Sequence, residues 1–174
     1  MQVVSDLIIS KGRLNRLKAI REGALVFDDL GQGDDEPVEI HVGNPDFDYR
    51  DQYTHPRLTL GAWFSTVQTI CRHYGVEVSP VFHGKPFSPI YEFARNQLVK
   101  EAKSMGFSGV KKFYAIGDNP KSDISGSNNQ GDKWHSILVR TGNFDGENDP
   151  TFPAKTVCDN VWDAIQFILS QEKK

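Results

Sequence analysis

Little in this chain is extreme, and each scarcity removes a class of protein. Only two cysteines occur, Cys71 and Cys158. They stand far apart, with no His or Cys neighbour at ligand spacing, so neither a zinc centre nor a disulfide framework is supported. Free thiols in a reducing compartment are the expectation. No run approaches the roughly 18 apolar residues of a transmembrane helix, so no membrane span is expected. A net charge of -3 argues against a general nucleic-acid partner. There is no internal repeat and no low-complexity tract. What remains is ordinary: 174 residues, 38% hydrophobic and 25% charged. That composition suits a folded chain of one domain, or one domain with a small lobe.

The richest stretch is Phe113-Tyr-Ala-Ile-Gly-Asp-Asn-Pro-Lys-Ser-Asp-Ile-Ser-Gly126. A short apolar run reads as a buried, parallel strand. It stops at Gly117-Asp118-Asn119, and a second carboxylate, Asp123, follows. Ligands of open α/β sheets bind beyond the carboxyl ends of the strands. Two carboxylates delivered there by one loop suit a hard divalent cation such as Mg²⁺, which takes oxygen ligands and few of them from protein. The bland alternative is that Asp and Asn only shape the turn or cap a helix.

The rest of the chain frames that stretch. A helix is expected over Val3 to Ile9, with Val4, Leu7 and Ile8 on one face, ended by Ser10-Lys-Gly12. Met1 to Gly23 is faintly amphipathic with five Lys/Arg, which fits a transit peptide or a cut or internal helix; the second is preferred. Asn15 to Glu22 reads as a short exposed helix or loop. Ala24 to Asp29 reads as a strand running into the acidic loop Gly31 to Pro37. Val38 to Val42 alternates like a strand, and ends in Gly43-Asn44-Pro45-Asp46. Phe47 to Arg57 is an aromatic and charged loop. Leu60 to His73 is helical: Ala62, Thr66, Thr69 and Ile70, with Trp63, Val67 and Tyr74 nearby, give a broad apolar stripe, and Gly75 is the stop. From Val78 onward strands and helices alternate, the signature of a parallel sheet with crossover helices. The strands are Val78 to Phe82, Val110 to Ile116, Ser136 to Val139 and Ala154 to Val157. One helix starts with Ser88 as cap and Pro89 in the first turn, with Ile90, Phe93, Ala94, Leu98 and Ala102 inward. A short helix runs from Asp123 to Gln130. The last covers Val161 to Leu169, with Ala164, Ile165, Ile168 and Leu169 inward, before a frayed tail.

Gly84-Lys85-Pro86, a helix, Tyr114-Ala-Ile-Gly-Asp-Asn-Pro-Lys-Ser-Asp123 and Ile137-Leu-Val-Arg-Thr-Gly142 together resemble the haloacid dehalogenase (HAD) superfamily. The chain is most similar to its NagD-like class, and within that to the cat eye syndrome critical region protein group of eukaryotic hydrolase-like proteins. Gly43-Asn44-Pro45-Asp46 resembles a cap-domain turn of the class. The resemblance covers roughly Val38 to Leu169. It implies an α/β fold: residues 1–78 as the rear part of an α/β cap domain, and 79–174 as the C-terminal half of a Rossmann-like parallel-sheet core. It further implies Mg²⁺-dependent phosphoryl transfer from a small phosphorylated substrate. Lys85 would steady the phosphoryl group. Asp118 would ligate Mg²⁺, and Asp123 would bind or orient it. Gly84, Asn44 and Asp46 would face the substrate, while Gly117 and Asn119 would shape the loop.

One departure matters as much as the match. The family's nucleophile is an aspartate in an Asp-x-Asp pair after the first core strand, followed later by a Thr or Ser. Neither is found in that position upstream of Lys85; at Ala24 to Asp29, Leu30 stands where the second aspartate would be. Without the nucleophile no covalent aspartyl-phosphate forms. The chain therefore reads as the C-terminal portion of a hydrolase whose missing N-terminal half is its first partner, with homo-oligomers a further expectation. Mitochondrion and cytoplasm are the compartments expected. The competing reading is a noncatalytic binding or scaffolding module that keeps the phosphate and metal loop. A flavodoxin-like receiver domain fits less well, because it needs an acidic pair near its start.

Overall fold

The computed structural model describes residues 1–13 and 38–172. The elements expected at Asn15 to Glu22, Ala24 to Asp29 and Gly31 to Pro37 lie outside the described residues. The chain divides into two compact units, 1–48 with 58–82, and 49–57 with 83–174.

In the first unit, helix α1 covers Gln2–Ile9 and ends with Lys11 and Gly12 at positive φ. Its inward residues are Ser5, Ile8 and Ile9, while Leu7 is exposed. Strand β1 is only His41–Val42, and it pairs in parallel with β4, Val81–Phe82. The chain between them contains two-residue strands β2 (Asp48–Tyr49) and β3 (Arg57–Leu58), which pair with each other. The stretch taken for a loop is thus the end of a short hairpin. Helix α2 spans Leu60–His73 as the periodicity requires, with the Thr59 side chain accepting from the Leu60 amide. Its buried stripe is Ala62, Phe64, Val67 and Cys71, not Thr66, Thr69 and Ile70. The two threonines instead donate back to the carbonyls of Ala62 and Ser65. The larger apolar groups win the buried side because each removes more surface from water. Ile8, Ile9, Val67 and Cys71 form this unit's core, and burial pushes the Cys71 thiol pKa up.

The second unit holds a three-stranded parallel sheet in the order β5-β6-β7: Phe113–Gly117, Trp134–Val139 and Thr156–Cys158. The fold is α/β. The central strand β6 is buried along nearly its whole length, and among the described residues β5 lies at an edge. Helix α3 runs Ser88–Ser104 with Pro89 in its first turn. Phe87, not Ser88, occupies the capping position, and no side chain caps the helix. Its contact with the sheet is concentrated at Tyr91, which meets Trp134 edge-on at 5.4 Å, while Trp134 stacks on Phe113 at 5.0 Å. Ile90, Phe93 and Leu98, expected inward, are exposed, Phe93 at 61%. Helical spacing identifies an apolar face; it does not supply the surface that covers it.

After β5 comes one wide helical turn, Pro120–Ile124, then the short helix α4, Ser125–Asn128. Helix α5 spans Val161–Glu172, beyond the expected end. Its last residue accepts a hydrogen bond from Tyr114 Oη at 2.7 Å. Burial and this carboxylate together push the Tyr114 pKa up to about 12. Ala164 faces the sheet, whereas Ile165 and Leu169 are exposed. The loop between β6 and β7 is gathered by Arg140, which bonds the Gly146 carbonyl and pairs with Asp159 and Glu147.

Candidate functional site

The site is built at the carboxyl ends of β5 and β6. Strand β5 ends at Gly117 and leads directly into Asp118 and Asn119. Asn119 accepts from the Lys121 amide through its side chain at 3.0 Å, and its carbonyl accepts from the Asp123 amide at 2.8 Å. That closes the wide turn and folds Asp123 back over the strand end. A wide turn of this kind is rare within helices and recurs at functional positions.

Asp123 is the hub. Its Oδ2 accepts from the backbone amides of Asp118 at 3.2 Å and Asn119 at 3.0 Å. Its Oδ1 accepts from Lys85 Nζ in a close ion pair. The carboxylate side chain is 11% exposed, whereas that of Lys85 is 44% exposed. The buried partner is therefore satisfied from three directions, as a buried charge must be. Lys85 arrives from the turn that precedes α3, where the Gly84 carbonyl accepts from the Phe87 amide. Its peptide bond to Pro86 is cis. Tyr91 Oη lies within hydrogen-bond reach of the carbonyls of Ser122 and Asp123, at 3.3 and 3.2 Å, and so ties the turn to α3.

Two glycines make room for the carboxylates. At Gly117 an added Cβ would overlap the side chain of Asp123, and at Gly142 it would overlap the carboxylate of Asp118. Neither glycine has positive φ; close approach, not backbone conformation, demands them. Asp118 is held in turn by the amide of Asn143, which donates to its Oδ2 at 2.7 Å. The structure thus brings Lys85, Gly117, Asp118, Asn119 and Asp123 together. Asn44 and Asp46 belong to the first unit, where the Asn44 side chain accepts from the Asp46 amide at 2.9 Å. The Asp46 carbonyl accepts from the Gly61 amide and Thr59 Oγ1. Asp46 and Asp48 have Asp-x-Asp spacing, but they lie in that turn and in β2, a strand that pairs with β3 and is no part of the β5-β6-β7 sheet.

Sequence reasoning quoted Gly142 in a motif but assigned no role to it, to Asn143 or to Tyr91. The signal for the first two was present: Gly-Asn beyond β6 stands at the end of a neighbouring parallel strand, where ligand loops gather. Tyr91 carries no motif, and only packing reveals it.

A three-stranded parallel sheet with a carboxylate-bearing loop at its strand ends, and a lysine paired into that loop, makes an α/β domain with a candidate ligand site at those ends. Residues 82–164 match the family described as HAD-hydrolase-like. The p-nitrophenyl phosphatase of Archaeoglobus fulgidus aligns with a TM-score of 0.51 and 19% identity, over 75% of this chain and 46% of that one. In sequence, the chain is 39% identical over 138 residues to the cardiolipin synthase (CMP-forming) / mitochondrial hydrolase fusion protein of Schizosaccharomyces pombe, covering 78% of this chain and 23% of that protein. It is 27% identical over 193 residues to mitochondrial hydrolase YKR070W of Saccharomyces cerevisiae, covering 98% of this chain and 51% of that protein. The chain belongs to the haloacid dehalogenase superfamily. It spans about half the length, or less, of these relatives.

Proposed function

We propose that the chain is the C-terminal portion of a Mg²⁺-dependent phosphomonoester hydrolase, working in mitochondria and inactive without the segment that supplies the nucleophile. The observation that carries this reading is the knot of Lys85, Asp123 and the Asp118–Asn119 amides at the end of β5. The mitochondrial assignment follows the names of the two yeast relatives.

The donor set fits a hard cation. Among the described residues, the hydrogen bond from Asn143 engages Oδ2 of Asp118, leaving Oδ1 as an oxygen ligand. A carboxylate oxygen suits Mg²⁺, an ion that retains water and takes few protein ligands. Asp123 has both oxygens engaged, so we assign it to orientation, with Asp118 as ligand. When bound, the ion would neutralise phosphoryl oxygens. The chain's own groups do the rest. Lys85, steered by Asp123, presents a cation to the phosphoryl group; the Asp118–Asn119 backbone is locked so that little reorganisation is needed as charge develops. Asn44 and Asp46 are assigned to the substrate-facing turn of the cap, and Gly84 to the lysine's approach.

Two features support the reading that further chain completes the domain. Among the described residues strand β5 is an edge strand with an apolar sequence, and the Ser122 hydroxyl is buried without a hydrogen-bond partner. Open apolar edges associate, so residues 1–174 alone are expected to self-associate. Light scattering that shows a stable monomer at high concentration would count against this.

The deciding experiment measures Mg²⁺-dependent phosphate release from an aryl phosphate. It compares this chain, a version extended by the preceding segment, and the extended version with Asp118→Asn. Activity is expected only in the extended version, with a fall of at least about 100-fold on Asp118→Asn. Turnover by the 174 residues alone, or full activity with Asp118→Asn, would overturn the proposal. Retained Mg²⁺ binding without activity in any version would favour a noncatalytic binding module.

A further inference from the structure

The strands of the second unit run parallel, so their starts share one edge, opposite the carboxyl ends that carry Asp118 and Asp123. Lysines precede every start: Lys111 and Lys112 before β5, Lys133 before β6 and Lys155 before β7. The Phe113 amide donates to the Lys133 carbonyl at 2.8 Å, which sets the first two starts side by side. Lys155 Nζ donates to the Trp134 carbonyl at 2.6 Å, and Lys112 lies over the Tyr114 ring at 5.5 Å. Lys103, in the last turn of α3, adds a further cation. All of these lysines are exposed. Among the described residues none of them forms an ion pair, although Glu101 and Asp132 are near in sequence.

The connection from α3 to β5 brings apolar groups to this edge. Gly106 has positive φ, and its amide donates to the Lys103 carbonyl at 3.0 Å, while the Phe107 amide donates to the Ala102 carbonyl at 2.9 Å. These two bonds close the helix end in a fixed turn, of a kind that commonly packs the apolar residue after the glycine back on the helix. Here Met105 is 67% exposed and Phe107 60% exposed. Single exposed apolar residues are ordinary. Two large ones on one fixed turn, among unpaired lysines, mark a contact surface. A strand added beside β5 would pair along its flank, whereas these groups sit where the strands begin.

We propose that this edge docks on the surface of an anionic lipid bilayer, with Met105 and Phe107 entering the headgroup boundary and the lysines meeting lipid phosphates. The apolar groups gain by leaving water, and the cations gain by nearing a negative surface. Either signal alone binds weakly, and the two together hold a protein in place. Nucleic acid would engage the lysines but leave Met105 and Phe107 in water. The docked orientation turns the Asp118–Asp123 loop, at the opposite end of the sheet, toward the aqueous side. The inference stands independently of the reaction proposed above.

The test sediments the version extended by the preceding segment with lipid vesicles. Vesicles of phosphatidylcholine alone are compared with vesicles in which about a third of the lipid is phosphatidylglycerol. Binding is expected to the anionic vesicles only, and to fall steeply as salt rises from about 0.1 to about 0.5 M. Met105→Ser with Phe107→Ser should weaken it about tenfold or more. Lys111→Gln with Lys133→Gln should weaken it about 30-fold, as the loss of two lysines near a charged surface implies. Phe93→Ser removes an equally exposed ring from α3, away from this turn, and should change binding less than about twofold. Circular dichroism confirms each fold. No binding to anionic vesicles, equal binding to neutral ones, full binding by either double variant, or an equal loss with Phe93→Ser overturns the inference. Light scattering on the same proteins covers the other occupant: a dimer that Met105→Ser with Phe107→Ser dissolves, without vesicle binding, makes the turn a contact between copies and overturns the lipid assignment.

Discussion

Two turns of almost the same composition follow parallel strands in this chain. Gly43-Asn44-Pro45-Asp46 comes after β1, and Gly117-Asp118-Asn119-Pro120 comes after β5. The first is held by its backbone and the Asn44 side chain; among the described residues its Asp46 carboxylate forms no hydrogen bond or ion pair. The second is organised by carboxylates, with Asp123 buried at its centre and Asp118 fixed by Asn143. A Cβ on Gly43 would meet nothing within contact range, whereas one on Gly117 would strike Asp123. The same residue types can therefore shape a chain in one place and hold a charge in another. The difference lies in what packs against the glycine.

The sharpest way to break this comparison is to add one methyl group at each turn. Gly117→Ala is expected to lower unfolding free energy by about 3 kcal/mol, because Asp123 must move and release its amide donors. Gly43→Ala should stay within about 0.5 kcal/mol. Urea unfolding of the two variants gives the contrast directly, and equal effects would end the distinction.

The carboxylates come next. Asp123→Ala strands the Asp118 and Asn119 amides and leaves Lys85 without this partner, for a loss of about 2 kcal/mol. The half-exposed lysine keeps part of its solvation, so the penalty is smaller than for a fully buried pair. Asp46→Asn retains the turn's backbone bonds and should cost no more than about 0.5 kcal/mol. A thermal-melting comparison separates them, and a large effect at Asp46 would show that its carboxylate has structural work of its own.

Much of the second turn was legible in sequence because its chemistry is local. The apolar run, the glycine, and two carboxylates five apart name a strand end and a ligand loop, and Lys85 entered through its resemblance to a family step. What escaped was whatever depends on a distant neighbour. The partner of Asp118 is the Asn143 amide, 25 residues on, and backbone amides carry no sequence signal. Tyr91 replaced Ile90 and Phe93 as the inward group of α3, edge-on to Trp134, which itself stacks on Phe113. In α2 Ala62 and Val67 are buried as expected, but Thr66 and Thr69 satisfy their hydroxyls on the preceding turn, and Phe64 and Cys71 take the core instead.

The smallest expected effect concerns the sheet that carries the second turn. His135 sits on β6, with Nε2 2.9 Å from Thr156 Oγ1, between the rings of Tyr114 and Phe167. Burial lowers its pKa, and the charges of Lys112 and Lys155 lower it further. The unfolded chain then binds a proton at His135 more readily than the folded chain does. Stability from this residue is complete above the ordinary histidine value of about 6.5 and is lost as pH falls from there toward the depressed folded value. His135→Gln removes the titration while keeping a polar group opposite Thr156. The difference in melting temperature between the two proteins should be constant above neutrality and shift in favour of the glutamine variant as pH drops through 6. A shift of opposite sign would mean that folding favours the protonated ring, and that the two lysines do not set the field at this end of the sheet.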